Sequence, residues 1–449
     1  MASDTLGNPV SLEHADSLCA LNDFVDGFLR CEARAVNILD VAHSDGSAII
    51  QACCAALHMF AESAPATANA APFIDRARTS AAAASAREQG FVNCVAAWVQ
   101  GDMAHATQLH ERHQRLFPRD LVALKLGQYH FFNQGDSPGM LRLALHALPH
   151  ADDVAQMHAM AAFALEQCHL LAQAEAQART GLAMCATEPW AQHALAHVML
   201  TQGRLREGLQ FMQEASARWI GLNSFMQTHN WWHLALFALE LGQNDDVLAM
   251  YDQQVWGVEP GYSQDQIGAV SLLARMELAG VDVGDRWQAV ADQLVARVHD
   301  HVLPFLDLQY LYGLARAGRP EASTMLGSIE AYCLGVTAAA GSGPKTVDAV
   351  WPMVCLPAAR GLVAYAQGRA QEALEDLELA LARLPQIGGS HAQRDLFNQI
   401  HVDALRRAGH WNAVQQVLQP QCSAHPQSMR LRGQVNRAYG ALGLPEMAI

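Results

Sequence analysis

One pattern returns along this chain: an apolar segment long enough for a helix, then glycine beside a polar residue, then a second such segment. The clearest copy is AWVQGDMAHATQLHERHQRLFPRD, Ala97 to Asp120. Trp98 and Val99 close one helix, Gly101 and Asp102 make the turn, Ala106 follows, and Pro118 ends the second helix. AYAQGRAQEALEDLELALARLP repeats the arrangement with Gly368, Ala373 and Pro385. Weaker copies place glycine at 203, 242, 318, 409 and 443, and FALEQCHLLAQAEAQARTGL has His169 in the glycine position, followed by Ala174. Glycine accepts the left-handed backbone that closes a helix, and a small residue after it lets the next helix approach. A single helix pair cannot bury its apolar face, so pairs must stack.

This spacing is that of tetratricopeptide-type hairpins, degenerate and unevenly separated. It predicts an all-α fold, an irregular tetratricopeptide-like α-solenoid of stacked helical hairpins that could close on itself. One helical repeat domain over 1–449 is expected, with N-terminal helices over 1–90 and hairpins over 91–449. No stretch shows a convincing strand period. Candidate loops are PHADD (149–153), GVEPGYSQDQ (257–266), AAAGSGPKTVD (338–348) and LPQIGGS (384–390).

Composition narrows the function. Apolar residues are 51% of the 449 and charged residues 16%, enough to bury a large core. The net charge is −15 with no run of lysine or arginine, which argues against nucleic acid and anionic membrane. No apolar run is long enough to span a bilayer, and MASDTLGNPVSLEHAD lacks the regions of a secretory signal. Ten scattered cysteines without a CxxC point to reduced, buried thiols and a cytoplasmic location. No nucleophile elbow, Ser-His-Asp spacing or dinucleotide fingerprint is present, and GSGPKT (341–346) lacks the full phosphate-loop form.

The compositional oddity is histidine, with 21 copies. In WAQHALAHVMLTQGR, His193 and His197 share a helix face; in THNWWHLALFALELGQ, His229 and His233 do the same at the head of a core helix. Stacked helices would bring four imidazoles together. No cofactor is expected; if a metal binds, His193, His197, His229 and His233 are its ligands, though neither pair has the glutamate of a zincin motif. Trp231 and Trp232 are about 100° apart on a helix, so one can enter the core while the other walls a pocket. A third constellation is IGGSHAQRDLFNQIHVDALRRAG, in which Ser390 is a credible N-cap and His391, Gln393, Arg394 and Asp395 crowd a helix entrance. Arg394 would face an anionic group there, or an Arg–Asp tie would pin one hairpin to the next. Arg275, Arg286, Asp252 and Asp307 are further candidate buried charges, with Arg275 and Asp307 an expected pair. His110/His113 and His146/His150 read as solvated helix faces.

Taken together, WAQHALAHVMLTQGRLREG, HNWWHLALFALELGQNDDVLAMYD, SLLARMELAGVDVGDRW, FLDLQYLYGLARAG and IGGSHAQRDLF resemble the tetratricopeptide repeat protein 38 family, with HNWWHLAL and GGSHAQRD the most specific motifs. The resemblance implies a tetratricopeptide-like helical fold and supplies no reaction. This chain has Leu200 where the family tends to glutamate, Ala274 where it tends to tryptophan, and Gln309 where it tends to histidine. The first departure removes a candidate carboxylate beside His197; the third removes a candidate partner for Asp307.

Two functions remain. The first is an interior pocket binding a small polar or anionic molecule through His193, His197, Trp231, Trp232, His391, Gln393, Arg394 and Asp395, with His229 or His233 as general acid or base. The second is a scaffold whose concave face binds a peptide or protein partner. Convergence of the histidines and arginines favours the pocket; dispersal favours the scaffold.

Overall fold

The computed structural model describes residues 2–339 and 349–446, so most of the glycine-rich stretch 338–348, including GSGPKT, lies outside the described residues. The chain forms two compact units, Met1–Leu195 with Arg218–Met226, and Ala196–Ala217 with Gln227–Ile449.

Twenty-two α-helices carry the described residues. The first ten are α1 (Ser17–Arg30), α2 (Ala48–Met59), α3 (Ala66–Ser80), α4 (Ala86–Val99), α5 (Met103–Leu116), α6 (Leu121–Asn133), α7 (Ser137–Ala147), α8 (Ala155–Gln167), α9 (Leu171–Met184) and α10 (Pro189–Thr201). In the first unit α2 pairs with α3, α4 with α5, α6 with α7, and α8 with α9. Gly-Asp dipeptides explain two of them, α4–α5 and α6–α7. Gly101 (φ 72°) and Gly135 (φ 70°) sit in the left-handed region after one helix. The aspartate that follows caps the next: Asp102 accepts from the His105 amide at 3.1 Å and Asp136 from the Gly139 amide at 2.8 Å. His169, expected in a glycine position, indeed adopts φ 56°. Ala106, Ala174 and Ala373 are fully buried where helices approach.

The remaining helices are α11 (Leu205–Ser216), α12 (Ser224–Glu240), α13 (Asn244–Met250), α14 (Ser263–Ala279), α15 (Arg286–Leu294), α16 (Pro304–Arg316), α17 (Glu321–Ala339), α18 (Leu356–Ala366), α19 (Ala370–Leu381), α20 (His391–Arg407), α21 (Trp411–Ala424) and α22 (Met429–Ala441). In the second unit α14 pairs with α15, α16 with α17, and α18 with α19, while α16 packs on both α14 and α18. Helix α20 then returns to α14. The unit's first and last hairpins also meet. The Arg206 amide donates to Gln427 at 3.0 Å, and Glu240 accepts from Arg430 Nε at 2.7 Å and from the Ser428 hydroxyl. Taken by itself, this unit therefore brings its ends together rather than running as an open array.

Three local features depart from the expectation. Ala2–Ser3 and Pro9–Val10 form a short antiparallel pair, too short to show a strand period. Ala33–Val41 is a 3-10 helix. Helix α12 begins at Ser224, so the His-Trp knot lies inside it rather than at its head. No helix among the described residues is long and apolar enough to cross a membrane, and no disulfide links any of the ten cysteines.

Candidate functional site

By the division of the chain, His193 falls in the first unit and the other expected histidines in the second. In the first unit His193 stacks on Trp190, with ring centroids 4.6 Å apart, and packs against Phe163 at 5.3 Å. One turn later on α10, His197 belongs to the second unit, where the remaining candidates gather.

There the spacing of four puts His229 and His233 on one face of α12, their rings edge-to-face at 4.8 Å. The His197 ring lies 4.4 Å from that of His233, and His391, first residue of α20, meets His197 edge-on at 5.7 Å. One donor nitrogen from each of His197, His229 and His233 lies within 4.8 Å of the other two. Three helices distant in sequence thus contribute to one group of imidazoles. The tryptophans divide as expected: Trp232 is buried and stacks on His229 at 5.3 Å, whereas Trp231 is half-buried.

Burial sets the electrostatics. It lowers His229 to about 3, and the neighbouring His197 adds to the fall. A ring so shifted is neutral at neutral pH but a weak general base, which weighs against a proton-abstracting role for His229. Its uncharged form suits a ligand or a hydrogen-bond acceptor.

Arg275 comes from α14 and is 2% exposed. The expected pairing with Asp307 is not formed. Arg275 instead donates through Nη2 to the Ala392 carbonyl at 2.6 Å and the Gln393 carbonyl at 3.3 Å, clamping the start of α20, and lies 3.8 Å from Asp395. Its guanidinium also stands 5.6 Å from the Trp232 ring centroid. Desolvation lowers Arg275 to about 10. Asp307 pairs with His301, whose Nδ1 is 2.6 Å away. The loop before α16 supplies this partner, which no helical spacing could reveal. Asp252 and Arg286 pair with each other at 2.7 Å, half-exposed rather than buried.

At the entrance of α20, Ser390 and Gln393 form the expected capping box. Arg394 donates to the carbonyls of Gly388 and Gly389, folding the loop onto the helix, and burial lowers it to about 10. The tie between hairpins is made by Arg275 to Asp395, not by Arg394.

Sequence reasoning missed several buried polar groups in this unit. Among the described residues Asn230 is fully buried and neither atom of its amide has a hydrogen-bond partner. Trp232 Nε1, Ser271 Oγ, Arg275 Nε and Gln309 Oε1 are likewise without one. Native cores leave few such groups, and each calls for a water or a ligand. Asn230 was legible only as the residue inside HNWWH. A cavity of about 300 Å³ also lies in this unit, lined by Tyr312, Arg316, Tyr365 and Arg407 among others and by none of the expected site residues.

The first unit holds a second histidine group. His110 and His113 are buried, not solvated. His113 Nε2 lies 3.0 Å from Asp120, which also accepts from Arg87 at 3.0 Å and caps α6. Burial would raise Asp120, but the His113 hydrogen bond and the Arg87 guanidinium hold it well below the usual carboxylate range. A carboxylate that binds cation, imidazole and helix amide together makes those polar residues core residues. His146 and His150 are exposed, as expected.

No family model matches the chain. Among solved structures, the structure of Naa15/Naa10 bound to HypK-THB is 12% identical, covering 95% of this chain and 66% of that chain, with a TM-score of 0.26. The P58(IPK) TPR domain is 11% identical, covering 73% of this chain and 99% of that chain, with a TM-score of 0.20. This chain therefore spans 66% of the length of the first. Neither likeness carries a functional argument. The helical-repeat assignment stands on the chain's own hairpins.

Proposed function

We propose that this helical-repeat protein binds a small polar or anionic molecule at the interior histidine group of its second unit. The observation that supports this reading is the meeting of His197, His229, His233 and His391, from three helices, with ring centroids of successive pairs 4.4–5.7 Å apart. A binding surface for a protein gains nothing from imidazoles buried in this way, because buried polar groups cost free energy unless satisfied. Arg275 points to an anion. It is a desolvated cation whose ion-pair partner among the described residues, Asp395, is 3.8 Å away and half-exposed, and such a charge favours a closer counter-ion. On this reading Trp231 walls the site, and Gln393, Arg394 and Asp395 shape its α20 side. His233 takes the acid–base role where there is a reaction. The motifs HNWWHLAL and GGSHAQRD, which carry the resemblance to the tetratricopeptide repeat protein 38 family, fall on the same histidines.

The second reading, a scaffold for a protein partner, is supported by the helical-repeat architecture, whose stacked hairpins commonly present extended binding surfaces. A thermal-shift screen of small carboxylates and phosphates separates the two. A compound that stabilises the wild type, with a shift at least halved in both His233→Gln and Arg275→Met, is the expected result. No stabilising compound, or shifts unchanged in both variants, would overturn the pocket in favour of the scaffold.

A further inference from the structure

Building on that interior site, we infer that His197, His229 and His233 hold a divalent transition-metal ion, of which zinc is the chemical type. The geometry carries the inference. His229 and His233 stand one turn apart on a single face of α12, and His197 reaches them from α10. One nitrogen of each lies within 4.8 Å of the others. Zinc–nitrogen bonds of about 2.0–2.1 Å place tetrahedral ligands roughly 3.4 Å apart, so ring rotations that close the remaining ångström or so complete the set.

The donor chemistry selects the ion. Three imidazoles without a thiolate suit zinc, copper or nickel and not magnesium or calcium, which take oxygen. Ligation requires neutral imidazole. Leu200 stands one turn after His197 and offers no carboxylate, and the three imidazoles themselves carry no negative charge. A dication held by three neutral ligands keeps a fourth position open and acts as a Lewis acid toward an anion there. Arg275, beside the Trp232 ring that touches both His229 and His233, supplies a second positive charge for the same anion.

The exposed pair His146 and His150, rings 6.0 Å apart, offers two donors at the surface and serves as the internal control. The test uses the full-length, tag-free chain, treated with chelator and titrated with Co²⁺ alone, then with Zn²⁺ in competition. One Co²⁺ per chain, with the visible absorption of a four- or five-coordinate ion and displacement by Zn²⁺, is expected. His229→Gln and His233→Gln should each weaken binding by about 100-fold or more, since even outer-shell changes cost up to that much. The double change His146→Ala with His150→Ala should leave the titration as it is. Circular dichroism of each variant establishes that it is folded, and the half-buried His229 supplies a second variant where His233→Gln misfolds. Absence of Co²⁺ binding, or binding that survives both glutamine changes, overturns the metal. Chelator-treated protein that keeps its thermal shift with a small anion overturns the metal while leaving the interior site standing.

Discussion

At the scale of single residues, burial decides what the titratable groups do. Asp307 is fully buried; one carboxylate oxygen meets His301 Nδ1 at 2.6 Å and the other has no hydrogen-bond partner among the described residues. Desolvation therefore raises it from 3.8 to about 6, and the histidine offsets only part of the rise. A carboxyl raised in the folded state binds its proton more tightly there than in the unfolded chain. Its contribution to stability is thus greatest below about pH 4 and is lost as pH rises toward about 6. Asp307→Asn has no such titration. The unfolding free energy of the wild type, measured against that variant, should fall across this interval and level off above it. A difference that stays flat from pH 4 to 7 would mean that the carboxyl is already charged on folding.

At the scale of elements, glycine does two separable jobs. Gly368 closes α18 at φ 78°, and a Cβ there would meet nothing within 4 Å. Gly368→Ala therefore costs only backbone strain, about 1–2 kcal/mol. Gly208 lies within α11, and a Cβ there would come within 2.2 Å of the Phe237 ring. Gly208→Ala costs packing instead, about 1–3 kcal/mol. Denaturant unfolding of both variants, each combined with Phe237→Leu, separates the causes. The smaller, ring-free side chain should rescue Gly208→Ala and leave Gly368→Ala unchanged. Equal rescue of both would remove the distinction. The same contrast explains what was legible in the sequence. Turn glycines, and His169 standing in for one, announce themselves because left-handed backbone restricts residue type. The i, i+4 histidine pairs were legible because helical spacing fixes a shared face. Partners across helices were not: Arg275 chose Asp395 over Asp307, and nothing in the local pattern distinguishes two aspartates so far from it. His113 looked solvated for the same reason, because Asp120 meets it from beyond its own helix, and His110 is buried against the ring of His130.

At the scale of the whole molecule, sequence order and compactness disagree. The chain leaves the first unit after Leu195, returns at Arg218 and leaves again after Met226. The returning segment belongs where it lies: the Ala33 amide donates to Gly221 at 2.9 Å and the Asn223 amide to Cys31 at 2.8 Å. Conversely, α11 packs on Phe237 of the second unit through Gly208, and its Arg206 amide reaches Gln427. A cut at 226 therefore strips the second unit of α11, of His197 and of the Arg206–Gln427 contact, one of those that bring its ends together. Residues 227–449 alone should show weak near-ultraviolet circular dichroism and a broad, non-cooperative thermal transition, because the apolar face around Phe237 is left open to water. Residues 189–449 keep α10 and α11 and should unfold cooperatively. A sharp transition in 227–449 within a few degrees of that in 189–449 would show that the inserted segment is dispensable. The outcome matters for the site as well, since His197 travels with the same segment. A second unit that needs α11 to fold also acquires its third imidazole by folding, which ties the metal and ligand chemistry proposed for α12 to the integrity of the repeat that closes over it.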